Sequence, residues 1–277
     1  QIAYSRSLIK QFEYYVDNEY KPRLEGGILW NDPGLQINWD EIFAKYEIEK
    51  PILSGKDQVR ETLEECETKF RREPKRYFIT GFKGQLGYDI VRELNNRGEY
   101  DIMATDIDEL DITNREQVMS MIKEYKPDVI FHCAAWTAVD KAEDMEDKVY
   151  DINVNGTKNL VDASIEVGAK IVYMSTDYVF DGTKEGAYLE DDQVNPMSVY
   201  GKTKYQGEEE VRRNPNHFIT RISWVFGING NNFIKTMLKL SETKSELNVV
   251  DDQIGSPTYT VDLAKLLVEM CETEKYG

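Results

Sequence analysis

From Arg76 onwards the chain changes hydrophobic period in a regular way. A short apolar run, Tyr77-Phe78-Ile79-Thr80, precedes a stretch from Gln85 to Arg97 in which apolar residues recur every three or four positions. The first reads as a buried strand, the second as a helix stopped by Gly98. The succession repeats. A strand is expected over 101–106, a helix capped by Asn114 and running to Tyr125, and a strand over 128–133. A long helix over roughly 142–167, a strand over 170–175 and a helix around residue 200 follow. A strand over 218–222, a helix near 233–240 and a last helix over 261–272 complete the pattern. Strands alternating with helices imply a parallel sheet covered on both faces, because parallel neighbours need a long crossover. The fold class expected for residues 75–277 is therefore α/β, a Rossmann-type doubly wound parallel sheet. Its substrate-binding elements are expected within about 178–277.

Residues 1–55 differ. They are aromatic and turn-rich around Gly26-Gly27-Ile28-Leu29-Trp30-Asn31-Asp32-Pro33-Gly34, with no helical stripe and no strand–helix alternation. They read as an irregular N-terminal extension. In residues 56–74, Val59, Leu63, Cys66 and Phe70 recur at helical spacing, which predicts a linker helix ended by Pro74.

Composition narrows the partners. A formal net charge of −17 argues against nucleic acid and against anionic membrane surfaces. No run of about 18 apolar residues suggests a membrane span. Three widely spaced cysteines, Cys66, Cys133 and Cys271, fit a reducing compartment, and with no signal peptide visible the expected location is cytoplasmic. Two scattered histidines, His132 and His217, give no metal cluster. His132 lies inside an apolar strand and is expected to be a satisfied core residue. The chain begins at Gln1, so residues are expected to precede it in the natural protein.

Three segments carry candidate chemistry. Gly81-Phe82-Lys83-Gly84-Gln85-Leu86-Gly87 joins the first strand to the first helix. Glycines there permit a tight turn and close approach of backbone to a pyrophosphate, at a helix N-terminus with free amides. An ordinary strand-to-helix turn is the alternative. Asp106, ending the second strand, can accept bonds from an adenosine ribose and would disfavour a 2′-phosphate; Asp111 and Ile112 could reach the adenine. Ala134 and Ala135 follow the third strand at its C-terminal end, where small residues let a flat cofactor pass or let a helix pack closely. At the end of the fourth strand, a hydroxyl of Ser175-Thr176-Asp177 can bond a substrate carbonyl, although Asp177 could simply close an Asx-turn. Finally, Tyr200 and Lys204 stand four apart on one helix face. An ammonium beside a phenol lowers its pKa from near 10 and readies it to protonate a carbonyl. Alone the pair would be an ordinary surface feature; after the other two segments it points to a nicotinamide-dependent reductase using NADH or NADPH. Trp224 is open between ligand stacking and core packing.

These residues carry a resemblance. Residues 76–277 resemble the dTDP-4-dehydrorhamnose reductases, extended short-chain dehydrogenase/reductases. The segments that carry it are GFKGQLG at 81–87, AAWTAVDKAE at 134–143, STDYVFDG at 175–182 and YGKTK at 200–204. RISWVFG at 221–227, NNF at 231–233 and DDQIGSPT at 251–258 add to it. The resemblance implies a catalytic set of Thr176, Tyr200 and Lys204, substrate contacts at Thr137, Val139, Asp177 and Trp224, and cofactor contacts that include Thr137. It implies hydride transfer to the 4-keto group of a dTDP-linked 6-deoxy sugar. Residues 1–55 resemble the tail of the dTDP-4-dehydrorhamnose 3,5-epimerases through EGGILWNDP at 25–33, Trp39 and Pro51-Ile52-Leu53-Ser54. That implies an epimerase–reductase fusion. The segment contains no histidine to serve as an epimerase base. Its Ile28, Leu29, Trp30 and Trp39 need cover from the reductase domain or from a second copy, so a homodimer is one of two outcomes. The chain also ends earlier than such reductases usually do, so part of the sugar-binding region is expected beyond it. Two other classes stay open: a non-catalytic subunit of the same fold, and a nucleotide-sugar epimerase or dehydratase that retains its NAD.

Overall fold

The computed structural model describes residue 29, residues 31–45, 47, 49, 60, 62, 74–98 and 100–277. The chain forms two compact units, residues 1–73 and 74–277. Of the linker helix expected over 56–74 only residues 60, 62 and 74 are described, and Ile28 and Trp30 lie outside the described residues.

In the first unit the Asp32 carboxylate accepts the Gly34 amide at 2.7 Å and opens a 3₁₀ turn at Pro33–Leu35. A helix, α1 (Trp39–Lys45), follows, although no helical stripe was expected there. Seven residues are too few for a hydrophobic period to register. End effects form it instead: Asn38 Oδ1 accepts the Glu41 amide at 3.3 Å, Asp40 and Glu41 occupy the first turn, and Lys45 the last.

The second unit starts with β1 (Arg76–Thr80), α2 (Gln85–Arg97), β2 (Asp101–Thr105), α3 (Arg115–Tyr125) and β3 (Val129–His132). Asn114 caps α3 by accepting the Gln117 amide. The long helix expected over 142–167 is broken. It comprises α4 (Val139–Ala142), α5 (Glu146–Tyr150), a π-helical turn at Asp151–Gly156 and α6 (Thr157–Val167). The π turn rotates Asn153 into the interior, where it is 1 % exposed. Next come β4 (Lys170–Thr176), α7 (Val199–Val211), β5 (His217–Ile222), β6 (Val225–Phe226), α8 (Phe233–Ser241), β7 (Thr258–Tyr259) and α9 (Thr260–Met270). The two-residue β6 and β7 pair in parallel and were not expected; they are too short to show an alternation.

The main sheet is parallel, in the order β2-β1-β3-β4-β5. Alternate residues of each strand face opposite layers. Tyr77 and Ile79 of β1 join Ile90, Leu94 and Leu267 under α2 and α9. Phe78 joins Val118, Ile122 and Leu160 under α3 and α6. Each such side chain stabilises the unit by roughly 1.5–3 kcal/mol when fully buried. Strand order reverses between β1 and β3, and a cleft opens beyond their carboxyl ends, where ligands of open α/β sheets bind.

Candidate active site

The first wall of the cleft is the glycine turn after β1. Gly81 has φ +69° and packs against the β3 exit, where a Cβ would stand 2.8 Å from the Ala134 nitrogen. At Gly87 a Cβ would meet the Gly81 carbonyl oxygen at 2.4 Å. The bare backbone thus leaves a cradle at the N-terminus of α2. Asp106 braces it: Oδ2 accepts the Lys83 amide at 3.1 Å and Oδ1 the Ile107 amide at 2.9 Å. The Lys83 ammonium turns to Asp108, 2.7 Å away, and Glu109, 3.3 Å away. Asn229 Nδ2 donates to the Lys83 carbonyl at 2.7 Å, and Asn232 Nδ2 to Gln85 Oε1 at 3.0 Å. These loop asparagines support the turn from the far side.

The second wall follows β3. Thr80 Oγ1 accepts the Ala134 amide at 3.2 Å, and Asn153 Oδ1 accepts the Trp136 amide at 2.8 Å. Asn153 Nδ2 also donates to Thr203 Oγ1 at 3.1 Å, tying this wall to α7. His132 is sandwiched between the Thr80 and Thr157 hydroxyls at 2.9 and 3.0 Å. Burial pushes its pKa down to about 3, so it is the neutral core residue expected.

The third wall is the end of β4 with α7, whose N-terminus Ser198 caps. Thr176 Oγ1 donates to Asp177 Oδ1 at 3.0 Å and accepts the Tyr178 amide at 3.2 Å. Burial pushes the Asp177 carboxyl up. The Ser175 hydroxyl faces away from the cleft chemistry and donates to Glu208 Oε1 at 2.6 Å. Of the two neighbouring hydroxyls, Thr176 is the one beside the Tyr200 phenol.

One expectation is corrected here. The Tyr200 phenol is not lowered toward neutrality; it is pushed up to about 12, chiefly by burial, against a smaller lowering effect of the Thr176 hydroxyl. The Lys204 ammonium does not offset this, because it lies over the Tyr173 ring, 4.1 Å from its centroid. Burial brings Lys204 itself down to about 7, against the attraction of Glu208. Tyr200 is therefore a protonated phenol throughout the physiological range, the form a proton donor must have.

The walls enclose a cavity of about 870 Å³. Every site residue expected from sequence borders it. Gly81, Lys83, Gly84, Gln85, Leu86, Gly87, Asp106, Asp111 and Ile112 are at one end, and Ala134, Ala135, Thr137 and Val139 beside them. Thr176, Asp177, Tyr200, Lys204 and Trp224 are at the other. Trp224 is 47 % exposed, with φ +46°, so core packing is not its role. Sequence reasoning missed Asn153, Glu208 and Arg221. Glu208 had a usable signal: it follows Tyr200 and Lys204 at the same four-residue interval.

Comparison with known proteins sets these features in a family. Residues 75–276 match the family model described as RmlD substrate binding domain. The dTDP-4-dehydrorhamnose reductase of Aggregatibacter actinomycetemcomitans is 46 % identical over 209 residues, covering 73 % of this chain and 71 % of that protein. The chain belongs to the dTDP-4-dehydrorhamnose reductase family. Two solved structures agree. The Clostridium acetobutylicum reductase superposes with a TM-score of 0.71 at 48 % identity, over 73 % of this chain and 72 % of that one. The Bacillus anthracis reductase, crystallised with NADP, gives 0.72 at 46 % identity, over 75 % and 74 %. Residues 5–65 match the family model of dTDP-4-dehydrorhamnose 3,5-epimerase, reaching past the boundary at 55 expected from sequence. No helix among the described residues is long and apolar enough to cross a membrane.

Proposed function

We propose that residues 75–277 reduce the 4-keto group of dTDP-4-dehydro-L-rhamnose to give dTDP-L-rhamnose. The observation that carries this reading is the meeting of Thr176, Tyr200 and Lys204 at one end of a cleft whose other end is a glycine cradle. The cradle fits a dinucleotide: Gly81, Gly84 and Gly87 line the cleft at the N-terminus of α2, and a Cβ at Gly81 or Gly87 would clash with backbone and force this turn open. Gly81 to Gly87 would hold the pyrophosphate and Asp106 the adenosine ribose, while Lys204 would reach the nicotinamide ribose. When bound, NADH or NADPH supplies the hydride that reduces C4.

The chain's own residues do the rest. With substrate bound, the Thr176 hydroxyl would turn its one proton from Asp177 Oδ1 toward the substrate carbonyl, beside the Tyr200 phenol. As C4 gains its hydrogen, the C4–O4 double bond becomes single, and the Tyr200 hydroxyl gives its proton to O4. Proton donation of this kind by Tyr200 is worth about 10²–10⁴-fold in rate. Thr137, Val139, Asp177 and Trp224 border the space left for the nucleotide sugar.

An epimerase-tail-like segment, read from sequence as residues 1–55 and matched over 5–65, precedes the reductase domain, which makes the chain part of an epimerase–reductase fusion; the two family matches within one chain support this. The free thiols of Cys133 and Cys271 suit a cytoplasmic location. The test is loss of NADH or NADPH absorbance when the chain meets dTDP-4-dehydro-L-rhamnose made by a separate epimerase. No substrate-dependent loss with either cofactor would reject the proposal.

A further inference from the structure

Glu208 is the most completely buried carboxylate in the neighbourhood of the cleft, with no exposed surface. It is also the meeting point of three elements. From β4 the Ser175 hydroxyl donates to Oε1 at 2.6 Å. From β5 Arg221 donates through Nε to Oε1 at 2.9 Å and through a terminal nitrogen to Oε2 at 2.8 Å, a two-pronged pair. From its own helix Arg212 donates to Oε2 at 3.0 Å. The Arg221 guanidinium in turn lies 5.0 Å from the Phe180 ring centroid and donates to the Glu190 carbonyl. Ser175 precedes Thr176, Lys204 lies one turn before Glu208, and Arg221 leads into Trp224.

A carboxylate removed from water costs several kcal/mol unless it is paired, and replacing such pairs by apolar residues is often neutral or stabilising. Stability alone therefore gives a weak reason for this arrangement. Its location gives a stronger one. We propose that Glu208 is a positioning residue for the reduction: it fixes the Thr176 end of β4 against α7 and sets a counter-charge on the Lys204 face of that helix. The inference rests on the Thr176/Tyr200/Lys204 reading of the site. The groups around Lys204 agree with it. Tyr173 of β4 offers its ring face, Cys133 just after β3 is a half-buried thiol held protonated, and His132 of β3 is neutral. Arg221 of β5 and Arg212 are cations already engaged by Glu208. Glu208 is the carboxylate on the Lys204 helix face, at the i+4 position where side chains become neighbours.

The experiment compares the pH profiles of kcat/KM for the full chain, Glu208→Gln, Ser175→Ala and Tyr200→Phe. In the unmodified chain the rate should fall as pH rises through the Lys204 pKa of about 7. Glu208→Gln removes the attraction and exposes Lys204 to two uncompensated guanidiniums, so this limb should move down by about one pH unit or more. A purely structural role would lower melting temperature and amplitude and leave the limb in place; that result overturns the proposal. Ser175→Ala keeps every charge and tests positioning separately. It should lower kcat about tenfold or more, as expected for a small misplacement of a catalytic group, with little change in NADH affinity or melting temperature. An unchanged kcat in Ser175→Ala overturns the proposal even where Glu208→Gln fails to fold. If Tyr200→Phe keeps its rate, the underlying site reading fails; if it loses its rate while both other variants behave as the unmodified chain does, only the Glu208 inference fails.

Discussion

Gly87→Ala tests the cofactor cradle from its geometry. The added methyl would stand 2.4 Å from the Gly81 oxygen and 2.8 Å from Phe82 Cα, where ordinary contacts begin at 3.4 Å. Both obstacles are backbone, so the turn itself must open by about 1 Å. Overpacking of this kind costs about 1–3 kcal/mol, and at about 2–4 °C per kcal/mol the melting temperature should fall by about 2–12 °C. Opening the turn also carries the amides of the first turn of α2 away from the proposed pyrophosphate position. Loss of one hydrogen bond to a charged group, about 1.5–3 kcal/mol, weakens NADH binding by about one to two decades. Calorimetric titration with NADH and a thermal scan read both effects. Gly168→Ala is the control. It forces alanine into φ +74° at a helix end with nothing within 4 Å of the new methyl, so it should lose stability and keep NADH affinity. Unchanged NADH affinity in Gly87→Ala would refute the cradle.

Tyr200→Phe should lose about 10²–10⁴-fold in kcat while still binding cofactor, as read by steady-state rates and NADH fluorescence. Near-normal kcat would remove the phenol from the mechanism. Lys204→Met should lower both turnover and nicotinamide affinity, and should abolish the fall in kcat/KM above pH 7 that the buried ammonium imposes; a variant altered only in melting temperature would return the pair to an ordinary surface feature. The unmodified chain should prefer NADH, because Asp106, the proposed ribose partner, borders the cleft as a carboxylate and the nearby Lys83 is held by Asp108 and Glu109. Paired kcat/KM values for the two cofactors check this, and a clear NADPH preference would show that Lys83 leaves its carboxylates for a 2′-phosphate.

Legibility in the sequence followed physical range. Helices α2, α3 and α9 announce themselves because each buries one face and the period follows from that burial, and the central strands β1, β3 and β4 because, buried on both faces, they read as short apolar runs. The cleft residues were legible for a related reason. A glycine that must avoid a backbone contact, as Gly87 does, or a helix face carrying Tyr200 and Lys204, is a constraint written in one or two adjacent turns. The break between Ala142 and Thr157 was not legible. Apolar residues continue through it at helical spacing, and only the packed structure shows Asn153 turned inward to hold Trp136 and Thr203. The direction of the Tyr200 pKa was also hidden, since neighbours in sequence suggest charge while desolvation comes from elements far along the chain. Glu208 reads as a solvated helix acid until β5 brings Arg221 beneath it.

The most direct test of the account follows the hydride itself. The chain is given dTDP-4-dehydro-L-rhamnose and NADH carrying deuterium at the transferable nicotinamide position, and the product is examined by NMR. The account predicts dTDP-L-rhamnose with deuterium at C4 and one cofactor oxidised per sugar formed. Product without deuterium at C4, or sugar conversion with no net cofactor consumed, would contradict it.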